Sequence, residues 1–582
     1  DDFKFFGNFG RLLPSGQQLY AHANYATKTV TGGFNYRNPN SRAAVFSNDG
    51  GQTLLIGDLA DARDGVLDGS AHCPVVTVTN GVPDPEALAR VFADPDCFSF
   101  QELLPGGFIP QFGGDVTDRS LVTGLRGTAG KLSWDGSVSY GFNKVDFFIF
   151  ETINASLGPA TPTSFDIGSY AQRDLSANLD LTYPLADHTN LAGGLEWREE
   201  EFAIGAGQPE SYEVGPLAAQ GFSSASNGFN GFGGTTVGTW SRGNYAVYAD
   251  LEQSAADERW TLGLAVRLED YEDFGTTTNG KLAGLYKLTD AWRVRGSVST
   301  GFRAPTPGQA NSHNVTTQFD PQAGELQEHG TIPSTSRVAQ LRGGEPLVPE
   351  TSVNYALGTI FDGGPLSVTV DLFQIDVEDR LTLSQNFTLT PAEIEQLLAE
   401  GITSAGNLND FRFFINDFDT RTRGVDVVAT YTPQAWRGNT SFSLVLNHTE
   451  TEVTRYNPDT LDAIRIHQLE GALPETRWNL SVHQRLFGGV SALARLSSFS
   501  GWYDAEDGRT YSGKSVVDLE GSYPVRNDLT LALGGQNIFN TYPAENPAAA
   551  AQLGNRYSQF TPFGFNGAYW YLRLQYRWGA GL

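Results

Sequence analysis

Residues 175–183 read Leu-Ser-Ala-Asn-Leu-Asp-Leu-Thr-Tyr. Leu175, Ala177, Leu179, Leu181 and Tyr183 fall on one face, and Ser176, Asn178, Asp180 and Thr182 on the other. A period of two with one apolar face is the signature of a strand. The pattern returns at 260–269, where Trp260, Leu262, Leu264, Val266 and Leu268 alternate with Thr261, Gly263, Ala265, Arg267 and Glu269. It returns again in Leu366, Val368, Val370 and Leu372 against Ser367, Thr369 and Asp371, and in Trp478, Leu480 and Val482 against Asn479, Ser481 and His483.

A half-buried sheet in water also alternates. Two features set this chain apart. Trp260, Trp478 and Tyr183 stand at strand ends, where an aromatic girdle meets lipid headgroups. The connections also alternate between short and long. Short turns fall at 14–16, 186–188, 255–257, 289–291, 362–364, 487–489 and 525–527, and long ones at about 38–117, 151–171, 203–241, 303–350, 380–417, 451–473 and 539–565. Short periplasmic turns with long extracellular loops belong to outer-membrane barrels, the strand architecture that satisfies every backbone group in lipid. The expected fold is all-β, a transmembrane antiparallel β-barrel over residues 1–582 as one domain, with 38–117 as its longest extracellular loop.

Composition agrees. With 39 Lys and Arg against 66 Asp and Glu, the net charge is −27, which makes nucleic acid a poor partner. Disorder is excluded by 40% hydrophobic and 12% aromatic residues with only 18% charged. Length suggests roughly four ordinary domains, but no linker-like break divides the chain, and its 66 glycines suit a barrel. No apolar run reaches the roughly 18 residues of a membrane helix, and no basic stretch followed by an apolar one opens the chain, so a secretory signal is expected to be absent or already removed.

Counting back from the C-terminus gives about 19 strands, an odd number where single-chain bacterial barrels have even ones. The last strand should end on the periplasmic side. The first, near Asp2–Arg11, should then begin outside, and the barrel should be incomplete. There is also no methionine, so an N-terminal portion is expected beyond residue 1.

The closing strand sets Trp570, Leu572, Leu574, Tyr576 and Trp578 against Tyr571, Arg573, Gln575 and Arg577, followed by Gly579–Leu582. Upstream stand Gly301-Phe302-Arg303-Ala304-Pro305, the run 347–355 (LVPETSVNY), the run 371–379 (DLFQIDVED), Thr422-Arg423-Gly424-Val425-Asp426 and Gln536-Asn537-Ile538-Phe539-Asn540. In order and spacing these segments resemble the barrel of TonB-dependent receptors, strongly over 290–582. The resemblance implies a 22-stranded barrel around an N-terminal plug, so that about 19 strands lie here. The plug and the missing strands would come from a separate segment. It further implies the bacterial outer membrane and its lipid, contact with the TonB complex through the plug, and energised uptake of a scarce nutrient such as a siderophore or carbohydrate, without catalysis. A passive porin-like channel and a non-transporting structural barrel or adhesin are the alternatives.

Cys73 and Cys97 share the longest loop, in an oxidising compartment, and are expected to form a disulfide. Asp58, Asp61, Asp64 and Asp68, and separately Asp417 and Asp419, could offer oxygens to calcium or simply be solvated; no other cofactor is expected. The stretch Gly508–Ser515 has phosphate-loop spacing, but strand-like sequence follows it where a helix is required. No catalytic constellation appears. Aromatic residues crowd the long loops, either packing on one another or gripping a ligand. The candidate ligand residues are Phe229, Trp240, His313, Phe414, Asp417, Trp502 and Tyr557.

Overall fold

The structure, a computed structural model, describes residues 2–578 except 321–324, 401, 403–409, 434–439, 506–507, 548–555 and 559. The Gly579–Leu582 tail thus lies outside the described residues. The alternating segments form one antiparallel sheet of nineteen strands. In chain order they are β1 (Phe3–Leu12), β2 (Gln18–Gly33), β3 (Gln111–Ala129), β4 (Leu132–Phe150), β5 (Ser164–Ala186), β6 (Thr189–Ala206) and β7 (Gly238–Ser254). Then follow β8 (Trp260–Tyr271), β9 (Gly275–Lys287), β10 (Trp292–Arg303), β11 (Glu350–Gly363), β12 (Leu366–Glu378) and β13 (Asp419–Tyr431). The last six are β14 (Thr440–Arg455), β15 (Thr476–Arg485), β16 (Ser491–Phe499), β17 (Lys514–Arg526), β18 (Leu529–Gln536) and β19 (Tyr569–Tyr576).

Each strand pairs with the next, from Phe5↔Tyr25 between β1 and β2 to Leu531↔Leu574 between β18 and β19. Among the described residues β1 and β19 do not pair with each other, so each has one edge without a strand partner. The register puts Leu179, Leu195, Val247 and Leu268 on the outer face, and Asn178, Glu196, Ala246 and Glu269 on the inner one. The outer residues are open, Leu195 at 57% and Leu264 at 58% exposed. An exposed apolar row along every strand is what a lipid-facing barrel wall presents; no helix among the described residues is long and apolar enough to cross a membrane.

The loop limits differ from the sequence reading. β2 and β3 continue pairing up to Gly33↔Gln111, so the longest loop is 34–110 rather than 38–117. Above the lipid band the outer face turns polar at Thr27, Thr29, Asp115 and Thr117, so the strand goes on while its alternation disappears. A further tight link, residues 272–274, joins β8 to β9 on the extracellular side. The packed cores sit in the loops rather than inside the sheet. One gathers Val45, Phe46, Phe98, Phe100, Leu217 and Phe222, and another Val315, Ile332, Phe387, Phe411, Phe413 and Phe418.

The face assignment has a direct test. In lipid vesicles Leu264→Arg should destabilise the folded protein by about 2–4 kcal/mol. Ala265→Ser, on the inner face, should fall within about 0.5 kcal/mol of wild type, both read by denaturant titration.

Candidate functional site

The inner wall of β5 to β8 carries a connected set of charges. Arg198 reaches Asp174 (2.5 Å) and Glu200 (2.8 Å). Glu200 also binds Arg242, which donates to the Pro305 carbonyl (2.6 Å), reaches Asp273 (3.4 Å) and lies over the Tyr271 ring at 5.1 Å. One row below, Arg267 joins Glu196 (3.0 Å) and Glu269. Arg242, Glu200 and Glu269 are buried. A pair at that depth is conserved energetically by its completeness: removing one partner from a buried pair costs about 3–5 kcal/mol, because the other charge is stranded.

Above these charges the wall becomes aromatic. Phe112, Phe147, Tyr170, Phe202 and Trp240 face inward from β3 to β7, and Phe229 and Phe232 of the 207–237 loop fold down onto them. Phe229 meets Phe112 at 4.7 Å, Phe232 stacks on Tyr170 at 4.8 Å and 10°, and Phe202 stacks on Trp240. A second segment follows the same path. Arg242 holds Pro305, the short helix Pro307–Asn311 starts there, and Tyr170 Oη donates to the His313 carbonyl (2.8 Å). Asn230 N then donates to Val315 O (3.1 Å) and ties the two segments together. Loss of water pushes His313 down to about 4, so its ring is neutral near pH 7.

Three expected ligand residues, Phe229, Trp240 and His313, are therefore neighbours in the barrel mouth. The other four lie elsewhere. Phe414 sits in a two-residue strand paired with Leu383, and Asp417 accepts a hydrogen bond from Thr460 Oγ1. Trp502 is buried against Tyr511, and Tyr557 stacks on Tyr542 (5.4 Å each). Their loops are joined by Ser558 Oγ donating to Asp504 (2.6 Å). Arg267 and Glu269 stand on the polar face of the 260–269 alternation, whereas Asp174, Arg198, Glu200 and Arg242 were not among the residues singled out from the sequence. Inward alternation was the available signal, yet three strands must be placed in register before those residues meet.

Cys73 and Cys97 form a disulfide of 2.07 Å. It staples a small core of Leu54, Val76, Ala87 and Val91. Asp58 accepts from the Ala60, Asp61 and Ala71 amides, and Asp61 from those of Gly69 and Ser70. These carboxylates close turns, and no group of three or more metal-binding side chains occurs among the described residues. In the phosphate-loop look-alike, Arg509–Tyr511 pairs with Trp502–Asp504, and Lys514 opens a strand. No helix follows to hold a phosphate.

The family model for the TonB dependent receptor-like β-barrel matches residues 88–538. The chain belongs to that family. Its location is the bacterial outer membrane, and the family is one of receptors and transporters. Among curated relatives, the Iron-regulated outer membrane virulence protein of Vibrio cholerae is 30% identical over 132 residues, 22% of this chain and 18% of that protein. The Vitamin B12 transporter BtuB of Photobacterium profundum is 23% identical over 369 residues, 62% of this chain and 46% of that one. The chain thus spans less than half the length of these relatives. In fold it is similar to the FrpB iron transporter from Neisseria meningitidis, with a TM-score of 0.58 and 12% identity over 99% of this chain and 72% of that one. It is also similar to the ferric enterobactin receptor PfeA of Pseudomonas aeruginosa, with a TM-score of 0.55 and 13% identity over 99% and 77%.

The mouth of this receptor barrel should loosen in acid. A histidine whose folded pKa is held at about 4, against 6.5 when free, refuses a proton that the opened loop accepts. The closed mouth is then fully stable above about pH 6.5 and loses stability as the pH falls towards 4. Hydrogen exchange of residues 304–316, corrected for intrinsic rate, should show that loss, and His313→Gln should remove the step.

Proposed function

We propose that this chain is most of the barrel of an energised outer-membrane receptor for a scarce nutrient, a small molecule or short oligomer too large for passive pores. Further polypeptide, supplying about three strands and a plug, would occupy the two unpaired edges and the lumen and would carry the contact with the TonB complex. The observation that supports this reading most is the mouth. An aromatic surface from five strands stands directly above a layer of paired charges, with Arg242 buried and Arg198 and Arg267 partly open, so an apolar or aromatic ligand bearing polar groups finds both halves of its chemistry there. The names of the relatives, iron and vitamin B12 transporters, point to the same kind of cargo. The acidic loops are not needed for this reading, and calcium has no part in it.

A porin-like channel gains one supporting feature, since the segments around Phe229 and His313 fold inward as a constriction would. It also requires an even, closed set of strands. The nineteen here, without a β1–β19 pairing among the described residues, do not supply that.

The test is uptake by cells making the full-length protein, with a ferric siderophore and cobalamin as separate probes. Accumulation of at least one probe should stop when a protonophore collapses the proton gradient. The pair Arg198→Ala and Arg242→Ala should reduce it about tenfold, the worth of one charge-assisted contact. Entry at an unchanged rate under the protonophore would establish the passive channel instead.

A further inference from the structure

The outer wall contains a concavity that transport does not explain. It is a groove of about 540 Å³ across β5 to β8, lined by Ala177, Leu179, Leu195, Trp197, Tyr245 and Val247. All six are lipid-face positions by register, paired as Ala177↔Trp197↔Tyr245 and Leu179↔Leu195↔Val247. Ala177 is the smallest of these side chains and opens the floor, while Tyr245 stands 63% exposed as a wall. The volume lies within the range of about 300–1,000 Å³ typical of small-molecule sites, and the lining suits a hydrocarbon chain.

The extracellular end of the groove is polar. In the row of Trp197 and Tyr245 stands Asp270, which accepts a hydrogen bond from Thr276 (2.9 Å). Just above, on the same outer face, Arg173 lies between Glu199 (3.1 Å) and Glu201 (2.8 Å). Two carboxylates therefore flank one guanidinium, and Asp270 adds a third carboxylate two strands along the rim from Glu199. Lys144 on the neighbouring β4 is already held by Asp146 (2.6 Å). Such a rim repels a phosphate but accepts hydrogen bonds from hydroxyl groups, and Trp197 and Tyr245 offer ring faces against which a sugar can lie. Chain-shaped and apolar below, acceptor-rich and aromatic above, the groove has the two-part chemistry of a glycolipid.

We infer that this groove is a specific site for one outer-leaflet glycolipid, its acyl chain along Ala177 and Leu195 and its sugar hydroxyls donating to Asp270, Glu199 and Glu201. The inference rests on the membrane location and not on the uptake reading.

The full-length protein, placed in nanodiscs of phosphatidylcholine with a minor fraction of monoglucosyl diacylglycerol, provides the test by native mass spectrometry. One glycolipid per chain should be retained, enriched about tenfold over the bulk ratio. Ala177→Trp fills the floor and should return the ratio to bulk, whereas Leu372→Trp, on the lipid face of β12, should leave the enrichment intact. Heat-modifiable migration on gels verifies that both variants fold. Asp270→Asn with Glu199→Gln should keep a bound lipid but lose the preference for sugar. Bulk composition in the wild type, enrichment indifferent to Ala177→Trp, or a second copy of the chain covering the groove would each overturn the inference.

Discussion

In the hydrocarbon layer no water is available to an amide, and each backbone N–H or C=O left without a partner costs several kcal/mol. That constraint organises the whole molecule. It forces every crossing segment into one ladder, from β1 to β19, and allows irregular chain only beyond the lipid. It also makes the outer edges of β1 and β19 the most demanding places in the structure. Phe3, Phe5 and Phe9 are exposed on β1, as are Leu572 and Leu574 on β19. Both edges are dressed for lipid while, among the described residues, their backbones lack a strand partner on one side.

Outside the membrane the rules are those of a soluble protein, and the loops fold accordingly. The 207–237 loop is the keystone. Gln220 exchanges two hydrogen bonds with the Asp58 backbone (2.7 Å each), Ser223 N donates to Ala44 O, and Asn227 N donates to Ile153 O. Its Phe229 and Phe232 close the barrel mouth, and Asn230 reaches the segment after His313. The disulfide-stapled 34–110 loop and the inner wall are thereby coupled through a single stretch of chain. Opening the mouth disturbs that loop as well.

Much of this was legible in the sequence. β8 announces itself because its outer side chains from Trp260 to Leu268 meet lipid and are apolar, and the odd count of strands followed from turns such as the one read at 525–527, which the structure places at 527–528. What escaped was set by contacts between distant segments. The upper ends of β2 and β3 turn polar on the outer face, so the apolar alternation stops where hydrogen bonding does not. Phe229 and Trp502 look alike in sequence, two aromatics in long loops, yet one faces the lumen and the other an outer loop hairpin. Arg198 and Arg242 carry no local signature, since their partners come from other strands. Composition could place arginines on the inner wall but could not choose among them.

A receptor barrel completed by further polypeptide requires the wall of this chain to be open between its first and last strands. Paired cysteines in the membrane-embedded full-length protein, oxidised under identical conditions, would measure this directly. Phe5→Cys with Tyr25→Cys, opposite each other across β1 and β2, should cross-link readily. Phe5→Cys with Leu572→Cys, on the two edges, should not. Efficient cross-linking of that second pair would mean that β1 and β19 close on each other and leave no gap for further strands.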